Sequence, residues 1–150
     1  MNHAAGTKSV AKHSASVASS ATFTHEIDTL GYKYASIDVV FSPFTASNVS
    51  LASVLKVGEA DTAGATATDI TALVGGGAGG FTIATTGAST GANVGGIARF
   101  NVDLRGRKRY LTVAVSPSTT VAVISNARLS KGDNHASSAS EAGVNNVASV

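Results

Sequence analysis

The sequence predicts an all-β protein, an antiparallel sandwich or barrel with extended termini. Three observations predict it. Apolar residues recur with period two over much of the chain, the dominant residues are Ala, Gly, Ser, Thr and Val, and helical periodicity is confined to one short stretch. At 150 residues the chain suits one domain.

The strands follow in order. In "YKYASIDVVF", Ile37, Val39 and Phe41 share one face while Ser36 and Asp38 take the other. In "IARFNVDL", Ala98, Phe100, Val102 and Leu104 alternate with Arg99, Asn101 and Asp103. In "YLTVAV", Leu111, Val113 and Val115 alternate with Tyr110, Thr112 and Ala114. The stretches "SLASVLKVGEA", "GGFTIATTG" and "TTVAVISNARL" read as three more strands, and "SVASSATFTHEI" as a weaker one. Phe41, Phe100, Val102, Leu111, Val113 and Val123 are the expected core. Only "DTAGATATDITALV" admits a helix, through the spacing of Ile70, Leu73 and Val74. Gly31 and Pro43 punctuate the strands, and Pro117 in "SPST" signals a hairpin turn.

These patterns divide the chain into an Ala- and Ser-rich arm over 1–22, a β-domain over 23–130 and a tail over 131–150. Both ends are too poor in large apolar residues to fold alone, so they read as mobile or as ordering on a neighbouring subunit. The first residues lack the continuous apolar run of an export signal, and no stretch is long and apolar enough for a membrane-spanning helix. Cysteine is absent, which excludes disulfides and thiolate metal sites. Charged residues are only 13% of the chain, a share that fits a surface partly covered by other subunits.

Chemistry-bearing motifs are few. The Gly-rich 74–81 loop lacks the Gly-Lys-Ser/Thr ending of a phosphate loop and reads as a tight turn. His25 and Glu26 fall on opposite faces of a strand, and the group with Asp28 reads as a solvated turn. No pattern for a nucleophile, a metal or a cofactor is present, so the chain reads as no enzyme, with no catalytic, cofactor or metal residues.

One cluster stands out. Arg105, Arg107, Lys108 and Arg109 are four of the eleven Lys and Arg, and the other seven face nine acidic residues. Without the cluster the formal charge falls from +2 to −2, so the basicity is local. Three roles are open to it: pairing with carboxylates such as Asp103 or Asp38, docking on an acidic protein surface, or binding nucleic acid. The last is least favoured, because only Tyr110 interleaves as an aromatic.

The segments "TLGYKYASIDVVF", "LKVGEADTAG", "FNVDLRGRKRYLTVAVS" and "ISNARLSKGDNHASSASEAGV" resemble, in that order, the head decoration or cement proteins of tailed bacteriophages. The resemblance spans about 28–143 and is most specific over 103–110. It implies a jelly-roll-like fold and a non-enzymatic virion protein, made in the bacterial cytoplasm and bound to the outer shell. The implied partners are the major capsid protein and, as a dimer or trimer, further copies of the chain. Docking would fall to Arg105, Arg107, Lys108, Arg109 and Tyr110, with Lys8 and Lys12 as arm contacts. Another virion component (a small jelly-roll capsid, tail or spike subunit) and a nucleic-acid-binding β-barrel are the alternatives.

Overall fold

The structure, a computed structural model, describes residues 6–44, 49–85, 95–132 and 143–145. Among the described residues eight strands form: β1 (Lys8–Val17), β2 (Phe23–Asp28), β3 (Tyr34–Phe41), β4 (Ala52–Ala60), β5 (Thr68–Val74), β6 (Gly96–Asp103), β7 (Tyr110–Pro117) and β8 (Val121–Ser130). They make two four-stranded antiparallel sheets, ordered β1-β8-β3-β6 and β2-β7-β4-β5. Nearly every connection therefore crosses from one sheet to the other, and only β4 and β5 are neighbours in both sequence and space. This is the strand order of a jelly roll: two packed sheets that share one core.

The core follows from the alternation. Ile37, Val39 and Phe41 of β3, Leu111, Val113 and Val115 of β7, and Val123, Ala127 and Leu129 of β8 are all buried. Phe100 and Val102 of β6 complete the expected set. One polar pair sits among them. His25 of β2 is 3% exposed and its Nδ1 lies 2.9 Å from Ser125 Oγ of β8, so a hydrogen bond joins the two sheets. The solvated-turn reading of His25 is thus corrected. Glu26 does face outward, where its carboxylate accepts the Gly64 N–H at 2.7 Å.

Four further expectations change. Residues 8–17, read as part of an arm, form edge strand β1, paired with β8 from Lys8↔Leu129 to Val17↔Val121. Backbone pairing holds this strand, because few of its side chains bury. The stretch that admits a helix becomes loop and then β5, with Ile70 buried against the core. The edge of β4 offers partners there, and Lys56 Nζ meets Asp69 Oδ2 at 2.8 Å. The "GGFTIATTG" stretch makes only isolated bridges, Gly75↔Phe81 and Ser50↔Thr85, among the described residues. Its Gly-rich start is a tight turn: a Cβ on Gly80 would lie 1.8 Å from the Val74 carbonyl oxygen. Finally, Pro117 does not sit in a hairpin, since β7 and β8 belong to different sheets.

The 131–150 tail lies mostly outside the described residues. Within it, Gly143 rests against the backbone of Ser9 in β1.

The basic turn as a candidate docking site

The basic cluster closes one end of the sandwich, in the β6–β7 turn at 104–109. Backbone bonds tie this turn to the β2–β3 loop. Thr29 N–H donates to the Arg109 carbonyl at 3.0 Å, and Thr29 Oγ1 donates to the same oxygen at 2.6 Å. Leu104 N–H donates to the Lys33 carbonyl, and Arg107 N–H closes the turn on the Leu104 carbonyl, both at 3.0 Å. Gly106 holds φ at +80°, and a Cβ there would meet nothing within 4 Å. Its requirement is therefore backbone strain alone. Gly106→Ala is expected to cost about 1–2 kcal/mol, read as a lower urea midpoint with an unchanged slope. Gly106→Asn should lose less, because Asn tolerates this region better.

Each cation of the turn meets a carboxylate of its own chain. Arg105 Nε reaches Asp103 Oδ1 at 3.0 Å. Arg107 Nη1 lies 3.4 Å from Glu59 Oε1, and Glu59 also accepts the Lys108 N–H at 3.2 Å. Lys108 Nζ meets Asp61 at 2.9 Å. Arg109 makes a two-pronged contact with Asp28, at 2.9 and 2.7 Å, and stacks on the Tyr110 ring at 4.9 Å. Each of the four positive charges thus has a carboxylate of its own chain, Asp103, Glu59, Asp61 or Asp28, as partner. Asp103 is held down at about 2, first by the Arg105 guanidinium and then by the Arg105 N–H. Hydrogen bonding from Arg109 likewise lowers Asp28.

Of the internal partners read from the sequence, Asp103 takes Arg105, whereas Asp38 instead binds Arg99, its register partner on β6. Glu59, Asp61 and Asp28 carried no sequence signal as partners, because 48, 47 and 81 positions separate them from their cations. The residues Lys8 and Lys12, expected as arm contacts, lie on β1. Lys12 Nζ sits 5.7 Å from the Phe23 ring centre, and Lys8 is close enough to help lower the Asp28 carboxyl. Among the described residues no group of three or more His, Cys, Asp or Glu converges as a metal site.

Fold and end face together define a jelly-roll domain whose cation-rich turn is braced by its own carboxylates. No family model and no curated protein matches the chain. It is similar to a solved chain described under "Bacillus endospore appendages form a novel family of disulfide-linked pili", at 12% identity over 83% of this chain and 86% of that one. The TM-score is 0.33, too slight a likeness to carry an argument.

Proposed function

We propose that this protein is a non-enzymatic virion subunit, a decoration or cement protein that binds the outer shell of a tailed phage and holds neighbouring capsomers. The observation that carries the reading is the position of the 103–110 segment, where the resemblance is most specific. It is an exposed turn at one end of a jelly roll, braced from the β2–β3 and β4–β5 loops, so its guanidinium groups are presented on a rigid mount. Shell carboxylates would dock by exchanging with the turn's own carboxylates. The Arg105 side chain is 76% exposed and can swing to a new partner. Each exchange gains little, so attachment draws on several contacts and several copies at once. The nucleic-acid reading stays less favoured because Tyr110 is the one aromatic interleaved with the basic cluster.

Shell binding measured against salt tests the proposal. Changing Arg107 and Arg109 to Ala should weaken attachment at least about tenfold, equivalent to about 1.4 kcal/mol. The free domain should lose only a few degrees of melting temperature, because exposed pairs contribute about 0–1 kcal/mol each. Normal attachment by a variant that melts far lower would show that the charges serve the fold instead.

A further inference from the structure

We infer that β1 is an exchangeable strand: between two copies of this chain, the β1 of each pairs with the β8 of the other. The inference concerns the purified chain, so it stands apart from the decoration reading.

Three features of β1 carry it. Its hold is mostly backbone. β1 makes a long antiparallel register with β8, yet of its ten residues only Val17 is buried and Val10 packs in part against the core. A strand held this way makes the same bonds on any copy of β8. Its partner, by contrast, is a central strand that becomes an edge without it. On β8, Val121, Val123, Ser125, Ala127 and Leu129 are all buried, so losing β1 without replacement would leave a ten-residue edge open for pairing. Pairing with any copy of β1 closes that edge.

The hinge is also suitable. Residues 18–22 are Ala, Ser, Ser, Ala and Thr, all exposed. Two bonds fold this link back: Ala21 N–H to the Ala18 carbonyl, and Thr22 Oγ1 with Ser116 Oγ, each 2.9 Å. Extended, five residues reach about 17 Å, enough to carry β1 off its own sheet. The register already breaks beside the hinge, between Ser14 and Val17. Opening the link therefore gives up little, and a second copy restores every β1–β8 bond.

The absence of cysteine makes a clean test. Ala11 and Asn126 are exposed register partners across β1 and β8, a spacing that a disulfide can bridge. Chains carrying Ala11→Cys are refolded at about 1 mM with chains carrying Asn126→Cys and then oxidised. Exchange predicts several-fold more covalent heterodimer than an Ala11→Cys and Thr24→Cys pair gives, because Thr24 lies on the other sheet. Equal yields from the two mixtures would overturn the inference. The unmodified chain gives an independent reading by light scattering after the same refolding. A dimer that persists on dilution supports exchange, and a monomer at every concentration overturns it.

Discussion

Replacing Phe41 by Ala is expected to cost about 3–5 kcal/mol, a large part of the 5–15 kcal/mol that holds a domain of this kind together. Phe41 is 1% exposed on β3, which has a paired strand on each side, and its ring centre lies 6.0 Å from that of Phe44. Neighbours fixed on both sides cannot collapse into the space a truncation leaves. Phe100 offers a contrast. It is equally apolar and also buried, but it lies on edge strand β6 and lines a groove of about 350 Å³ with Phe81 and Leu55. Its surroundings can relax, so Phe100→Ala should fall at or below the low end of the same range, about 3 kcal/mol. Urea unfolding of both variants checks this. A larger loss at Phe100 than at Phe41 would mean that the edge packs as tightly as the centre.

The second large effect is acid instability set by His25. Burial, reinforced by the positive charge of Lys12, lowers this imidazole from 6.5 to about 4. Between those values the unfolded chain takes up a proton that the folded chain refuses. Stability is therefore undiminished above pH 6.5 and falls as the pH drops toward 4. The total loss is about 3 kcal/mol, since each pKa unit is worth about 1.4 kcal/mol. The carboxylates act in a lower window. Asp28, Asp38 and Asp103 are all held below their ordinary value by arginine, so what they contribute is lost only on further acidification. Unfolding free energies at pH 7, 5.5 and 4.5 should show the His25 slope, and His25→Gln should flatten it. A variant with the same slope as the parent chain would assign the effect elsewhere.

The candidate site was only partly legible in the sequence. That Arg105, Arg107, Lys108 and Arg109 form one turn between two strands follows from local pattern, and so does the Asp103–Arg105 pair, two residues apart. The other three pairs join loops far apart in the chain, and a carboxylate such as Glu59 looks alike whether it faces water or a guanidinium. His25 shows the same limit. Alternation places it opposite Glu26, but nothing local says which of the two faces turns inward. Ser125, a hundred positions away, supplies the hydrogen bond that makes burial tolerable.

By itself the sequence determined the all-β class and the buried faces of β3, β6 and β7. Those depend on period-two alternation, which each strand carries in its own residues. Tertiary structure decided which strands are neighbours, because pairing is a contact between distant segments. It turned the Pro117 connection into a crossing between sheets, and it drew Ile70 into a strand beside β4. It also decided that β1 is a strand at all. With Lys8 and Lys12 where apolar residues would normally repeat, β1 has little burial of its own to announce it. The unpaired edge of β8 supplies the backbone partners that hold it in place.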